Sequence, residues 1–223
     1  MSTTYPDRAM IEFVRTAIEG EDTHATELTI AFPFRNRFHH CLRVSSIARM
    51  IAAAEGSSEE LAAIAGVFHD VGKAAGKDHA IVSAELCASY LESIRLPDEK
   101  AAIIVDCVRH HSGRIAFENG AFPEHLAVLR DADVLDEVGA VGVAWTLLAS
   151  GERRPDSYYT PLHLLTKTHL SSGGADHGGK MRTATGREMM KLRRAREREF
   201  IDQMTEELYV DSVEPWVSAS GAE

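Results

Sequence analysis

Residues 57–73 read SSEELAAIAGVFHDVGK, an apolar helical stretch that ends in the adjacent pair His69-Asp70. Its opening predicts a capping box, with Ser57 as the N-cap residue and Glu60 three positions later. The apolar side chains that follow recur at helical spacing up to the pair. A histidine and an aspartate at the end of a buried helix need a partner or a bound ion, because burying an unpaired charge costs free energy.

The rest of the chain also has helical periodicity, and no sustained apolar and polar alternation indicates a strand. A helix is predicted from Asn36 to Glu55, with His40 one turn before its apolar stripe. Two more helices are predicted at His79–Ser93 and from about Asp98 onward. An all-α fold follows.

Several further polar residues lie on these predicted helices. His110 and His111 close the helix that begins near Asp98, and both are expected to project from its inward half. The next helix is predicted over Glu124–Val143. It includes three aspartates, Asp131, Asp133 and Asp136.

The helical pattern loosens toward the C-terminus. Gly151–Pro161 and Ser171–Gly179 have the composition of loops. A last helix is predicted from Thr185, which forms a second capping box with Glu188. The tail after Pro215 is expected to fray.

Length and composition indicate one enzyme-sized unit. The chain has 223 residues, of which 44% are hydrophobic, enough for one well-buried core. We therefore expect a single domain over residues 1–223, with its core at about 35–144 and a C-terminal loop and helix extension at 145–214.

The charge balance argues against a protein that binds duplex nucleic acid. The net charge is −10, whereas binding to the phosphate backbone of a duplex needs a broad basic surface. Eight basic residues nevertheless lie between Lys180 and Arg198. This basic stretch is either a solvated helix face or, in part, a surface that faces an anionic substrate.

No membrane or export segment is expected, and the cytoplasm is the predicted location. The longest apolar stretches, such as Ala62–Phe68, are far shorter than the roughly 18 residues that a membrane span requires. The three cysteines Cys41, Cys87 and Cys107 form no CxxC pair, so neither a disulfide framework nor a thiolate zinc site is indicated. Buried thiols in a reducing compartment fit this pattern.

The inward-facing polar residues form one candidate functional group. They are His40, His69, Asp70, His79, His110, His111 and an aspartate near Asp133. Imidazole and carboxylate ligands without thiolate suit a divalent ion such as Mn, Fe, Co, Ni, Zn or Mg. A site of this kind can make bound water acidic and supply a nucleophile for attack on phosphorus.

Five segments in this order resemble the HD-domain superfamily of metal-dependent phosphohydrolases, and in particular its short stand-alone bacterial hydrolases. The resemblance covers about Arg35–Ala144. The segments are His40-Cys41-Leu42-Arg43-Val44, His69-Asp70-Val71-Gly72-Lys73, His79 with Ser83-Ala84, Arg109-His110-His111-Ser112, and the stretch from Asp131 to Gly142.

The resemblance implies a helical bundle with one metal ion bound by four side chains. Carried over by position, these are His40, His69, Asp70 and Asp133. Asp133 is chosen over Asp131 because Ala132-Asp133-Val134-Leu135 matches the family's Ala-Asp-x-Leu pattern. Asp131 and Asp136 are then expected to be caps, ion-pair members or residues that orient ligand histidines.

The resemblance also implies roles beyond metal binding. Lys73 occupies the place of a lysine that contacts substrate phosphate, although an exposed turn lysine is equally compatible with the sequence. His79, His110 and His111 correspond to positions that bind a second ion or else contact substrate and transfer protons; we expect one ion rather than two. Asp70 could also accept a proton from water.

The predicted activity is hydrolysis of a phosphoester or phosphoanhydride bond in a small phosphorylated substrate of the nucleotide kind. One alternative is an HD-type di-iron oxygenase, which uses the same histidine and aspartate framework. Another is a non-catalytic regulatory module. A homodimer is compatible with the sequence, which does not determine the oligomeric state.

Overall fold

The computed structural model describes residues 5–21, 37–112, 122–153 and 181–208, and the regular elements within these ranges are all helical. The predicted all-α fold class is therefore confirmed. In chain order the helices are α1 (Arg8–Glu21), α2 (Arg37–Glu55), α3 (Glu59–Phe68), α4 (His79–Ser93), α5 (Asp98–His110), α6 (Glu124–Asp136), α7 (Ala140–Arg153) and α8 (Ala184–Leu208). A 3-10 helix, Lys73–Asp78, precedes α4.

Helix α3 lies at the centre of the bundle. Every residue from Leu61 to Phe68 is buried, and the helix packs on α2, α5 and α6. A helix that is apolar on all sides is stable only when neighbours surround it. Helix α3 therefore ends inside the core, and His69 and Asp70 lie in the buried turn that follows it.

Helices α2 and α3 approach each other closely at Gly66. A Cβ atom at this position would lie 2.6 Å from Cα of Ser45. The hydroxyl of Ser45 donates a hydrogen bond of 2.7 Å to the carbonyl oxygen of Ala63. Close contact between these two helices aligns His40 on α2 with the end of α3.

The start of α3 differs from the prediction by one residue. Ser58, not Ser57, is the N-cap residue, and its Oγ accepts a hydrogen bond of 3.3 Å from the N–H of Leu61. The hydroxyl of Ser57 instead lies 3.0 Å from Nδ1 of His125 on α6. A long-range contact with α6 therefore engages the hydroxyl group of Ser57, the residue that the local pattern predicts as the N-cap.

The predicted helix Glu124–Val143 is broken in the structure. Helix α6 ends at Asp136, and α7 begins at Ala140 after Gly139, whose φ is 96°. This backbone conformation strongly favours glycine, and it ends the continuous helix. The prediction of one helix was wrong.

The loop predictions have a mixed outcome. Gly151–Arg153 belongs to α7 and is helical rather than loop. The remainder of that predicted loop, the predicted loop Ser171–Gly179 and the tail after Pro215 lie outside the described residues.

Helix α8 begins earlier than predicted, at Ala184. The N-terminal cap is Thr183 rather than Thr185, because Oγ1 of Thr183 accepts a hydrogen bond of 2.8 Å from the N–H of Gly186. Asp131 on α6 accepts hydrogen bonds from the N–H groups of Arg182 (2.9 Å) and Thr183 (2.8 Å). Asp131 thus fastens the start of α8 to α6, which is one of the roles expected for it.

The basic stretch on α8 also contacts the break between α6 and α7. Arg193 donates hydrogen bonds to the carbonyl oxygens of Leu135 and Val138. The buried carboxylate of Glu197 accepts a bond of 2.7 Å from the N–H of Gly139. Part of the predicted basic face is therefore structural.

The three cysteines are buried free thiols, as expected, and burial raises the pKa of each of them. Among the described helices, none combines the length and the apolar character of a membrane span.

Replacing Gly66 by alanine tests the close contact between α2 and α3. The added Cβ would collide with the backbone of Ser45, which can move only if α2 moves. We expect Gly66→Ala to lower the free energy of unfolding by about 3 kcal/mol, measured by urea denaturation. Gly56→Ala is the control: its Cβ would meet no atom within 4 Å, and only its φ of 75° opposes the change, at about 1 kcal/mol. Equal losses in the two variants would contradict this account.

Candidate metal centre

The four predicted metal ligands converge. His40 comes from α2, His69 and Asp70 from the turn after α3, and Asp133 from α6. Nε2 of His40 lies 3.1 Å from Nε2 of His69, and Oδ1 of Asp133 lies 3.3 Å and 3.5 Å from these two nitrogens. Oδ2 of Asp70 is 3.8 Å from the first nitrogen and 3.7 Å from the second.

These separations suit a shared divalent ion. Ligand atoms bound at about 2.1 Å lie roughly 3.0–3.4 Å apart around a cation, depending on the coordination geometry. His40, His69 and Asp133 therefore need little movement to bind one ion, and Asp70 would move in by a few tenths of an ångström. His69, Asp70 and His111 form a second, overlapping group with suitable spacing.

The histidine rings are held so that Nε2 points into the site. Nδ1 of His69 donates to the carbonyl oxygen of Gly66 (2.8 Å), and Nδ1 of His40 donates to Oδ2 of Asp136 (2.8 Å). Each Nε2 therefore presents a lone pair. Two lone pairs 3.1 Å apart repel each other unless a proton or a cation lies between them. This arrangement of donors fits a metal ion.

The electrostatics of the cluster also favour a bound cation. Burial would raise the pKa of Asp70 and Asp133, but the histidines around them outweigh burial and lower both pKa values well below the usual range. Burial would lower the pKa of His40, yet hydrogen bonds to Asp133 and Asp136 raise it to about 9. The carboxylates thus hold positive charge in the site, as a proton or as a metal ion.

Asp70 has two sides. Its Oδ2 faces His40 and His69, whereas its Oδ1 lies 3.3 Å from Nε2 of His111 and 3.4 Å from Nε2 of His79. Nδ1 of His111 and Nδ1 of His79 both donate to backbone carbonyls, at 2.7 Å, so these rings also direct Nε2 inward.

Lys73 lies beside both oxygens of Asp70. Its Nζ is 3.2 Å from Oδ1 and 3.2 Å from Oδ2 of Asp70, and 3.4 Å from Nε2 of His79. About two fifths of its side chain is exposed (40%), so the ammonium group borders both the cluster and solvent. Lys73 is therefore not a turn lysine that points away from the site.

His110 lies outside the cluster. Its Nδ1 is 3.0 Å from Oδ1 of Asp106, one turn earlier on α5, and its side chain is half-exposed. Adjacent residues on a helix point about 100° apart, so His110 and His111 do not share a face. The expectation that both histidines project inward is wrong for His110.

Arg37 is a further residue of the site, and the sequence motifs do not predict it. Its Nη1 donates a hydrogen bond of 2.7 Å to Oδ2 of Asp70, the oxygen that faces the ligand histidines. The available clue was its position, three residues before His40 and hence on the same face of α2. Arg37 balances the charge of Asp70 and holds that carboxylate in place.

Asp136 and Arg43 form the ion pair that supports His40. Arg43 donates to both carboxylate oxygens of Asp136, with distances of 2.7 Å and 2.8 Å. Asp136 in turn orients the His40 ring. A cavity of about 70 Å³, partly open to solvent, borders His40 and is lined by Arg37, Arg43 and Trp145 and also by the acidic residues Asp136 and Glu137.

Metal content distinguishes the two candidate aspartates. We expect His69→Ala, Asp70→Ala and Asp133→Ala each to abolish metal retention, because each removes a donor from the converging group. Asp131→Ala should retain the metal but unfold at a lower temperature, because it removes the hydrogen bonds that fasten α8 to α6. Metal analysis after gel filtration and thermal unfolding measure the two effects. Metal lost from Asp131→Ala and kept by Asp133→Ala would show that the ligand assignment is wrong.

Asp136→Asn tests the orientation of His40. An amide oxygen accepts the Nδ1 hydrogen bond more weakly than a carboxylate, so metal affinity should fall about 10- to 100-fold. Competition with a chelating dye measures this affinity. Asp106→Asn is the control, since Asp106 contacts His110 outside the cluster, and its affinity should not change. Equal affinities for the two variants would exclude the proposed role of Asp136.

Comparison with known families supports the motif assignment. The family model for the HD domain matches residues 37–138 of the chain. Ribonuclease Y of Sulfurovum sp. (strain NBC37-1) is 44% identical over 62 residues, which are 26% of this chain and 12% of that protein. Ribonuclease Y of Clostridium tetani (strain Massachusetts / E88) is 34% identical over 113 residues, 47% of this chain and 20% of that protein. The matches thus cover only a small part of these relatives.

Solved structures resemble the fold over most of its length. A predicted HD superfamily hydrolase from an uncultured Thermotogales bacterium has a TM-score of 0.62 at 22% identity, covering 90% of this chain and 92% of the other. An HD-superfamily hydrolase from Bacillus thuringiensis has a TM-score of 0.65 at 19% identity, covering 90% and 95%. Bacillus subtilis YpgQ, in complex with ADP, has a TM-score of 0.61 at 19% identity, covering 89% and 98%.

The motif order, the family match and the shared fold agree. The helices that carry His40, His69, Asp70 and Asp133 all lie in the segment matched by the family model. Residues 37–138 of the chain match the HD domain, and the chain has the fold of short stand-alone bacterial HD-superfamily hydrolases.

Proposed function

We propose that this protein is a metal-dependent phosphohydrolase that cleaves a phosphoester or phosphoanhydride bond in a small substrate of the nucleotide kind. The observation that carries the proposal is the convergence of two imidazole nitrogens 3.1 Å apart with two carboxylates, each of which has an oxygen 3.3–3.8 Å from both nitrogens. This thiolate-free donor set suits Mn, Fe, Co, Ni, Zn or Mg. A divalent ion bound there would supply Lewis-acid chemistry, making water acidic and polarising a phosphoryl group.

His79 and His111 are the best-placed proton acceptors for the attacking water. Each ring donates through Nδ1 to a backbone carbonyl and directs Nε2 toward Oδ1 of Asp70, so that this carboxylate would stabilise a proton taken up at Nε2. Asp70 itself already accepts hydrogen bonds from Arg37 and Lys73. Its role is therefore to bind the ion and to position these neighbours.

Lys73 supports a site with one ion rather than two. Its ammonium group lies within 3.2–3.4 Å of Oδ1 of Asp70 and Nε2 of His79, where a second cation would bind. A compact ammonium there can neutralise a phosphoryl oxygen as negative charge develops in the transition state. Two ions would require this side chain to swing out toward solvent.

The nucleotide class of substrate rests on the likeness of the fold to that of YpgQ, which crystallised in complex with ADP.

A metal and substrate panel tests the proposal. The metal-free chain is reloaded separately with Mn, Fe, Co, Ni, Zn and Mg and assayed against nucleoside mono-, di- and triphosphates and simple phosphate esters. We expect release of phosphate, pyrophosphate or a nucleoside monophosphate with at least one metal, and none with His69→Ala. Two tightly bound irons and oxygen consumption without phosphate release would instead establish the di-iron oxygenase alternative. Metal binding without either activity would favour a regulatory module.

Lys73→Met tests the second side of Asp70. Removing the ammonium should lower kcat about 100-fold while metal content stays the same, because Lys73 stabilises charge on the substrate rather than binding the ion. Lys77→Met, an exposed change in the same 3-10 helix, is the control and should leave kcat unchanged. A Lys73→Met variant with two bound ions and higher activity would refute this role.

A further inference from the structure

Two side chains of α8 bind the backbone at the C-terminal end of α6. Arg193 donates hydrogen bonds to the carbonyl oxygens of Leu135 and Val138, the second at 3.1 Å. Oε1 of Glu197 accepts a hydrogen bond of 2.7 Å from the N–H of Gly139. Carbonyl groups at the end of a helix lack the partner that a further turn would provide. Helix α8 therefore supplies hydrogen bonds that fix this end of α6.

The last turn of α6 carries two side chains of the metal centre. Oδ1 of Asp133 lies 3.3 Å from Nε2 of His40, and Asp136 accepts a hydrogen bond of 2.8 Å from Nδ1 of the same ring. Leu135, whose carbonyl oxygen Arg193 binds, lies between the two aspartates and directly precedes Asp136. A shift of this turn would therefore move both carboxylates relative to His40.

Arg193 interacts with this end of α6 in two further ways. A Cβ atom on Gly139 would lie 3.3 Å from Cγ of Arg193, so the aliphatic part of the arginine packs against the glycine. Burial lowers the pKa of Arg193, and the negative charge of Asp136 opposes that effect. Arg193 is thus linked to the turn that carries Asp136 by hydrogen bonds, by packing and by electrostatic attraction.

Glu197 is a carboxylate in the protein interior, with 1% of its surface exposed. Its Oε2 accepts a hydrogen bond of 2.8 Å from Arg194, three residues earlier on α8. Burying an ion pair has a desolvation cost, and apolar side chains of similar volume often stabilise a fold equally well. An apolar side chain, however, cannot accept a hydrogen bond from the N–H of Gly139. Stability alone therefore gives no reason for a carboxylate at this position, whereas a fixed backbone geometry does.

We propose that Arg193 and Glu197 are positioning residues of the metal centre, which fix the last turn of α6. Asp133 then stays within reach of the ion, and Asp136 keeps the His40 ring oriented. This inference rests on the metal centre of the proposed function. The match to the HD domain ends at residue 138, so both positioning residues lie outside the matched segment. They act through α6 and do not bind the ion themselves.

The affinity of the full chain for Zn²⁺ alone, measured by competition with a chelating dye, tests the role of Arg193. Arg193→Met removes the hydrogen bonds to α6 and keeps an aliphatic side chain against Gly139. We expect this variant to bind Zn²⁺ about 10-fold more weakly, the loss typical of residues that orient metal ligands. Arg193→Lys keeps the charge and N–H donors, and it should recover part of the loss.

The same measurement tests Glu197. Glu197→Gln retains an oxygen that can accept from the N–H of Gly139, whereas Glu197→Met does not. We expect Glu197→Met to weaken Zn²⁺ binding about 10-fold and Glu197→Gln to weaken it less than about threefold. Thermal unfolding confirms that each variant is folded at the temperature of the binding measurement, and the Arg193 variants decide the proposal if Glu197→Met does not fold.

Ile201→Ala is the control for loosened packing of α8. Ile201 is buried against Val143 of α7, one turn beyond Glu197, and contributes no hydrogen bond to the end of α6 through its side chain. This variant should unfold at a lower temperature, yet its Zn²⁺ affinity should change less than twofold. A loss of affinity as large as that of Arg193→Met would overturn the proposal, because general loosening of α8 would then explain both results.

A double variant provides a readout that a purely structural role would not change. Because Arg193 acts through the turn that carries Asp136, adding Arg193→Met to Asp136→Asn should cost less Zn²⁺ affinity than the product of the two single losses. Independent losses that multiply would count against the proposal.

The outcomes separate this inference from the proposed function. If the parent chain hydrolyses a phosphate ester while Arg193→Met keeps the parent affinity for Zn²⁺, the phosphohydrolase stands and the positioning role fails. If no phosphate ester is hydrolysed but Zn²⁺ affinity depends on Arg193 as expected, the positioning role stands and the hydrolytic activity fails.

Discussion

The structure depends on two imidazole nitrogens meeting 3.1 Å apart in the interior of a helical bundle. His69 is fully buried and His40 nearly so, and each ring uses its Nδ1 to satisfy an internal acceptor. Such a contact persists only where positive charge is shared between the two rings. The apolar helix α3, the glycine at its contact with α2 and the carboxylates around the rings all serve to bring these nitrogens together.

Local sequence signals predict most of the helices because helical periodicity is encoded at short range. The candidate ligands are predicted instead by the resemblance of several distant motifs to a known family. The helix bounds at His79–Ser93 and the start at Asp98 follow from periodicity and from Pro97, and they agree with the structure. The convergence of the HD pair with His40 and Asp133 followed from motif order, and the observed distances agree with it.

Long-range contacts explain what the sequence did not reveal. The hydroxyl of Ser57 contacts His125 on α6 instead of capping α3. Arg37 on α2 donates a hydrogen bond to Asp70 in the turn after α3. The break at Gly139 depends on a backbone angle and on the side chain of Glu197 from α8. The prediction for His110 is wrong for a different reason: His110 and His111 are adjacent on α5, and only His111 faces the cluster.

Helix α8 holds α6 at two places: at Asp131 within α6, which accepts from the start of α8, and just beyond the end of α6, where Arg193 and Glu197 bind the backbone. Asp133 lies between these two attachments. During synthesis on the ribosome, the segment bearing Asp133 therefore gains both supports only after Glu197 has left the exit tunnel. The position of Asp133 thus depends on a stretch of chain made more than sixty residues later, so α6 gains its full support only after α8 has been synthesised.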